Sequence, residues 1–407
     1  MLLQESIDVG IKELWANKAR SFLSVFGIII GIISLMVMMG IMAGIERTWV
    51  KYVQEIGGIE KATVSSVTPV VNGKPHPELM KPLTLNDTAL IRRHPLVRLV
   101  SPEIVTYQTV TAQGRRPVFL KIVGGTRHTL TLNRQTLAAG RDLTDEDDAR
   151  FKSVCILGAN VSDKLFGPHA SPVGKIIEIR GQSFKVIGLL KKNVLMQKGK
   201  NLLNFKNEVI YVPLAAVPRK LDPEEKIEQI HYLVRSRSHI AAAQKALEQQ
   251  LVRNHRGQAD VAIETQEERY LKSKKSFDTM KISFSLISGI SLVVGGIGIM
   301  NIMIASIAQR VREIGIRKAV GATARDILAQ FLIETTVIST LGGFFGILLS
   351  FAAVFLIRLF MTTMDPVIDF KAVLLSMVFS FFVGILFGIY PAIKAAEFDP
   401  IEALRYQ

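Results

Sequence analysis

Residues 22–44 read FLSVFGIIIGIISLMVMMGIMAG, a run with no charged side chain, and it decides what kind of chain this is. At about 1.5 Å of rise per residue a helix of that length reaches roughly 35 Å, enough to cross the hydrocarbon core of a bilayer. The apolar region of a cleaved secretory leader is only about 7–15 residues long, so the run reads as a retained span. Three further charge-free stretches follow at 282–308, 335–357 and 372–393. With 407 residues, 49% of them hydrophobic, the apolar excess sits in these few runs, the pattern of a membrane protein. The fold class expected is four transmembrane α-helices plus one large domain inserted between helices 1 and 2.

Charge orients the spans. The N-terminal flank carries Lys12, Lys18 and Arg20; the loop between spans two and three carries Arg310, Arg312, Arg317, Lys318 and Arg325; the tail carries Lys394 and Arg405. The opposite short loop, 358–371, sets two basic residues against Asp365 and Asp369. An excess of Lys and Arg marks cytoplasmic loops, so both termini and the 309–330 loop are expected in the cytoplasm and 45–281 outside. That outer segment holds 38 of the 50 basic residues against 24 of the 35 acids, which does not conflict, because long domains translocate largely regardless of charge. Only 7% of residues are aromatic and no basic cluster has them interleaved, which speaks against nucleic-acid binding. The divisions expected are an amphipathic cytoplasmic segment at 1–21, spans at 22–44, 282–308, 331–357 and 372–393, a loop at 309–330, an outer loop at 358–371 and a tail at 394–407.

Small residues recur at four-residue spacing in every span: Gly27 and Gly31; Ser291 and Gly295; Gly342, Gly346 and Ser350; Gly384 and Gly388. That spacing lines one helical face and lets backbones approach closely, within one bundle or between subunits. Glu334, at the edge of span three, is the only ionisable residue near the membrane interior; a proton or ion relay would place several.

The segment 45–281 starts and ends in charged helical stretches that would extend spans one and two as a stalk. Between them, β-branched runs at 62–71, 97–110, 118–123, 154–157, 176–179, 184–190, 209–212, 230–234 and 261–263 alternate with helical patterns at 84–93 and 240–253, which predicts an α+β domain. A hairpin turn is expected at 180–182. The basic, aperiodic stretch 191–207 is expected to be a mobile solvated loop, with a contact for a partner or ligand as the sharper alternative. The single cysteine, Cys155, lies in an apolar run and reads as core, with no disulfide available. The seven histidines are scattered, with no HExxH, no Cys/His cluster and no Ser/His/Asp grouping, so neither a metal nor a catalytic site is expected.

The loop 309–330 carries more structure than a floppy connector needs. Glu313 and Arg317 stand at i, i+4 with the acid first, supporting a short helix that Gly321 ends. Thr323 with Asp326 reads as the cap of the next helix, and Asp399-Pro400-Ile401-Glu402 as another capped start.

Two runs, Gly295-Gly296-Ile297-Gly298-Ile299-Met300-Asn301-Ile302-Met303 and Arg312-Glu313-Ile314-Gly315-Ile316-Arg317-Lys318-Ala319-Val320-Gly321-Ala322, closely resemble the permease of MacB/FtsX-like ABC transporters. So do Gly388-Ile389-Tyr390-Pro391-Ala392 and Asp399-Pro400-Ile401-Glu402-Ala403-Leu404-Arg405. Ala139-Gly140-Arg141, Ile156-Leu157-Gly158, Leu165-Phe166-Gly167 and Val173-Gly174-Lys175 resemble the family's periplasmic core, with 191–225 the least similar part. The resemblance implies a multi-pass protein of the bacterial inner membrane, with its large domain periplasmic. It implies a homodimer, or a pair with a similar permease, joined to two ATPase subunits. A coupling helix would map onto Arg312, Glu313, Ile314, Gly315, Ile316, Arg317, Lys318, Ala319, Gly321 and Ala322. It further implies mechanotransmission: ATP hydrolysis on the partner reshapes the periplasmic domains, for export or efflux with a periplasmic adaptor and an outer-membrane channel. FtsX-like signalling to cell-wall hydrolases and lipoprotein extraction are the family's other uses. No GxxxxGK[ST] phosphate loop occurs in the sequence, so ATP and Mg are expected on a separate ATPase chain and this subunit is expected to bind no cofactor and catalyse nothing.

Overall fold

The computed structural model describes residues 18–71, 74–112, 115–168, 170–197, 199–258, 260–360 and 365–405; of the expected N-terminal segment, residues 1–17 lie outside it. The chain divides into two compact units, residues 1–47 with 275–407, and residues 48–274. Helix α1, Lys18–Glu55, runs from the first unit into the second.

In the second unit, α1 stops at Glu55 because two glycines follow. Gly57 and Gly58 take φ of +135° and +86°, and Gly58 N–H closes back on Val53 O at 3.0 Å. Strand β1 is Lys61–Ser66, followed by the short β2 (Val70–Val71) and β3 (Lys74–Pro75). Helix α2, Leu85–Arg93, starts at a capping box in which Thr84 and Asp87 exchange hydrogen bonds. Next come β4 (Val97–Thr111), β5 (Val118–Gly125), α3 (Thr129–Leu132), β6 (Leu137–Gly140), α4 (Asp145–Ala149), β7 (Val154–Leu157) and α5 (Ala159–Phe166). They are followed by β8 (Ile176–Ile179), β9 (Gln182–Leu190), β10 (Met196–Gln197), β11 (Lys200–Asn201), α6 (Asn204–Asn207), β12 (Val209–Pro213) and β13 (Gln229–Val234). Helix α7 (Ile240–Asn254) and β14 (Val261–Thr265) complete the unit.

Ten of the strands form one mixed sheet in the order β14-β1-β13-β4-β5-β12-β7-β9-β6, with β8 pairing β4 and β9. The first four, all antiparallel, join with α2 and α7 as β1-α2-β4 and β13-α7-β14, a split βαβ pair in strand order 4-1-3-2. The α+β class follows from this alternation. Ile91 of α2 and Leu247 and Leu251 of α7 are buried with Val64, Ile230 and Tyr232 of the sheet. The expected hairpin is present: β8 and β9 pair antiparallel around Arg180 and Gly181, both at positive φ. Cys155 lies fully buried in β7.

The stretch 191–207 exposes Lys191, Lys192, Val194, Met196 and Lys200, as a solvated loop should, but it also carries internal structure that was not expected. Strands β10 and β11 form a small hairpin. Asn193 O accepts from Asn201 Nδ2 at 2.8 Å and from Asn207 Nδ2 at 2.7 Å. Its lack of hydrophobic periodicity reflects stabilisation by asparagine side chains bonding to backbone, which leaves no apolar stripe.

The other unit holds the four apolar helices: α1, α8 (Gln266–Gln309), α10 (Ala324–Phe360) and α11 (Phe370–Glu397), each long and apolar enough to span a membrane. Among the described residues it also holds two short helices, α9 (Val311–Ala319) and α12 (Pro400–Arg405). The helical bounds exceed the charge-free runs, because α8 carries polar turns before its span and α10 begins inside the expected loop.

The spaced glycines lie at helix crossings within this single chain. A Cβ on Gly27 would fall 2.8 Å from Gly295 Cα, and one on Gly295 would fall 2.7 Å from the amide nitrogen of Ile28. Gly31 faces Leu292, while Gly342 and Gly346 receive Ile28 and Ile32 of α1. Gly384 and Gly388 take in Ser339 and Thr335 of α10. Ser291 is half-buried beside Leu292, and it is Leu292 that meets Gly31. Lipid tails supply no hydrophobic drive between helices, so close approach of this kind is what holds such a bundle. Phe344, Phe355, Phe382 and Leu386 remain exposed, as lipid-facing side chains do.

Candidate functional site: a two-helix platform at the bundle end

Helix α9 lies between α8 and α10, separated from α8 by Arg310 alone. Its apolar positions Val311, Ile314 and Gly315 turn inward and are buried. Gly315 is required there: a Cβ would sit 2.8 Å from the Cβ of Ala403, a residue of α12 that is itself 2% exposed. Helix α12 begins as the motif Asp399-Pro400 leads one to expect, with Ile401 N–H donating to Asp399 Oδ1 at 2.7 Å.

Three side chains tie this pair of helices to the spans. Lys318 Nζ donates to Ala396 O at 2.6 Å and Phe398 O at 2.7 Å, satisfying carbonyls at the C-terminal end of α11, where a cation is favoured by the helix dipole. Arg317 donates to Gln330 of α10. Arg310 Nη1 reaches 3.2 Å from Glu334 Oε1, and its guanidinium also stands 5.6 Å over the Phe331 ring. Glu334 is 1% exposed, so the lone acid at the edge of span three is a partnered one. Helix α10 opens on the expected cap, Thr323 N–H donating to Asp326 Oδ2 at 2.9 Å and Asp326 N–H returning to Thr323 Oγ1. Gly321, at φ +109°, makes the turn before it.

Glu313 does not brace Arg317; its carboxylate lies 3.3 Å from Arg310 Nε, one turn earlier, and Arg317 is drawn away by Gln330.

The expected coupling residues divide into two faces. Ile314 and Gly315 are buried, Gly315 against Ala403 of the tail helix, Lys318 and Ala322 are half-buried, and Arg312, Glu313, Ile316, Arg317, Ala319 and Gly321 are exposed. Val320 is 85% exposed and Ile316 49%, and α12 adds Ile401 at 68% and Leu404 at 46%. Apolar side chains this open stand here interleaved with Arg and Glu. Spacing alone missed Arg310, Gln330 and Ala403. The available signal was the isolated acid Glu334 in an apolar run, which calls for a cation nearby. Among the described residues no three His, Cys, Asp or Glu side chains converge as a metal site.

Comparison with known proteins bears on both units. The family described as MacB-like periplasmic core domain matches residues 21–250, and that described as FtsX-like permease C-terminal matches residues 285–400. The uncharacterized ABC transporter permease YknZ of Bacillus subtilis is 31% identical over 408 residues, covering 100% of both chains. The macrolide export ATP-binding/permease protein MacB of Mannheimia succiniciproducens is 30% identical over 402 residues, covering 99% of this chain and 61% of that protein. The chain thus spans about six-tenths of the MacB relatives it matches. The periplasmic region of MacB from Actinobacillus actinomycetemcomitans has a TM-score of 0.46 at 18% identity, covering 56% of this chain and 97% of that one.

Proposed function

We propose, from the premise that this chain belongs to the MacB/FtsX-like family of ABC transporter permeases, that it is the membrane subunit of an export machine whose ATP hydrolysis occurs on a separate ATPase. The observation that carries this reading is the α9–α12 platform. An exposed apolar and charged face is fastened to span four by Lys318 and to span three by Arg310 and Arg317, so a push on it is delivered to the bundle. Two ATPase copies, each binding ATP and Mg, would seat on the platforms of two permeases, either two copies of this chain or this chain with a similar one. ATP-driven closure of that pair would tilt α1 and α8, and the large domain would change shape in response. This mode of action needs no polar pathway through the bundle. That fits a membrane interior in which the one acid buried among the described residues, Glu334, is already paired.

In this reading the chain sits in the inner membrane with both termini cytoplasmic and the large domain periplasmic, where an adaptor and an outer-membrane channel would complete the route. Substitution at the platform tests it. Val320→Glu and Glu313→Lys are expected to leave membrane insertion intact and to remove the dependence of ATP hydrolysis on the permease in a co-expressed complex. Unchanged coupled hydrolysis in both variants would refute the assignment. Orientation is tested by thiol labelling of Glu178→Cys and Ala324→Cys, both exposed, which should label from opposite sides of the membrane. Labelling of both from one side would overturn it.

A further inference from the structure

The carbonyl end of α1 is gripped by two lysines that the platform does not explain. Lys206 Nζ donates to Glu55 O at 2.8 Å and to Arg134 O at 3.2 Å, while Lys61 Nζ donates to Ile56 O at 3.3 Å and to Asn133 Oδ1. Both lysines are buried, 3% and 5% exposed. Behind them a polar chain crosses the sheet. Asn133 Nδ2 donates to Glu103 Oε1 at 2.8 Å, His231 Nε2 stands 3.3 Å from Glu103 Oε2, and His231 Nδ1 is 2.9 Å from Thr63 Oγ1. These groups line a cavity of about 350 Å³. They spend their hydrogen bonds on one another and on the helix end, an arrangement suited to a joint more than to a ligand site.

The parts come from separate places in the chain. Lys61 opens β1, Asn133 follows α3, Glu103 is in β4 and His231 in β13. Lys206 is delivered by α6, at the end of the asparagine-pinned stretch 191–207. Thr265, at the end of β14, pairs with Ala62 next to Lys61, and α8 starts at the following residue, so the second long helix leaves the sheet beside the same joint. Carbonyls without a helical partner and the negative end of a dipole are what a helix C-terminus offers a cation.

We propose that Lys61 and Lys206 are positioning residues that lock the end of α1 to the large domain, so that displacement of the helix is transmitted to the sheet and not dissipated in the Gly57-Gly58 turn. This rests on the mechanical reading of the chain given above, but it concerns the permease alone and can fail independently of ATPase coupling.

Burial lowers the Lys61 ammonium to about 8, against the pull of Glu103 and with the help of Lys206 and Arg269. Burial likewise lowers Lys206 to about 8, with Glu55 opposing and Arg134 adding. Glu264, which pairs with Arg269, and Lys121 also line the cavity. A lysine lowered on folding binds fewer protons folded than unfolded between its two pKa values. Global stability therefore rises as pH climbs from about 8 towards 10.5, while the charge-assisted bonds to the helix end weaken over the same window. A purely structural role and a locking role are thus moved in opposite directions by pH.

The test is a distance distribution between spin labels at Lys51→Cys on α1 and Glu178→Cys on β8, in the full-length chain in lipid nanodiscs. A single narrow distribution is expected at neutral pH, lost with a midpoint near pH 8 while the thermal unfolding midpoint holds or rises. Lys61→Met with Lys206→Met should lose the narrow distribution at neutral pH, and the conservative Lys206→Arg should keep it. A distribution that stays narrow in the double Met variant, or one in the unsubstituted lysine background that does not respond to pH, would overturn the proposal. The pH arm stands even if the double variant does not fold.

Discussion

Arg310 is the one residue between α8 and α9, and its guanidinium lies 3.2 Å from the carboxylate of Glu334, buried in α10. The same guanidinium is 3.3 Å from Glu313, the first acid of α9. One side chain therefore holds the start of the short platform helix and the third span in a common frame. Its position at the junction means that α9 cannot swing without disturbing the pair.

Removing one partner of a buried ion pair costs up to about 3–5 kcal/mol. Arg310→Leu and Glu334→Leu are each expected to destabilise the detergent-solubilised chain by an amount in that range, and the double variant to recover most of the loss. Thermal unfolding of the three variants measures this. Additive losses would show that the two side chains are energetically independent.

At the crossing of α1 and α8, Gly295→Val would drive a side chain onto the Ile28 amide. Overpacking of this kind costs about 1–3 kcal/mol. Gly289→Val, in the same helix with nothing within 4 Å, supplies the control and should leave the unfolding midpoint unchanged.

Acid sensitivity of the large domain is expected to centre on Glu103. Burial pushes its carboxyl up, but His231, Lys61 and Asn133 outweigh that and hold it at about 2, below the ordinary 4.5. A depressed carboxyl contributes stability above its unfolded pKa and loses it as pH falls through the folded one, here between about 4.5 and 2. The amount is on the order of 3 kcal/mol. Glu103→Gln should flatten the dependence of stability on pH across that window, read by urea unfolding at several pH values.

Cys155 is fully buried, and burial pushes its thiol well above the ordinary range. Maleimide is expected to leave it unmodified in the folded chain and to react fully in denaturant. Rapid modification under native conditions would mean that β7 opens.

Periodicity and charge were enough to read the four spans, the inserted α+β domain and the capped starts at Thr323 and Asp399, because each rests on residues close in sequence. What stayed hidden depends on partners far apart. The close seat of Gly315 follows from Ala403, some ninety positions later, and the short strand β6 follows from its pairing with β9. The stretch 191–207 looked like a solvated loop because its order comes from Asn193, Asn201 and Asn207, which carry no periodic signal, and its reason for being there lies with Lys206 and the end of α1. The four-residue glycine spacing was visible, but the residues it meets, such as Ile28 opposite Gly295 and Thr335 opposite Gly388, lie far away in the chain.

The most direct test of the central claim is to purify the tagged full-length chain from its native membrane in mild detergent and identify every co-purifying chain by mass spectrometry. The account predicts an ATPase carrying a GxxxxGK[ST] phosphate loop, recovered with the unaltered chain and lost with Val320→Glu. Reproducible recovery of the permease without any such ATPase, under conditions that preserve other membrane complexes, would contradict it.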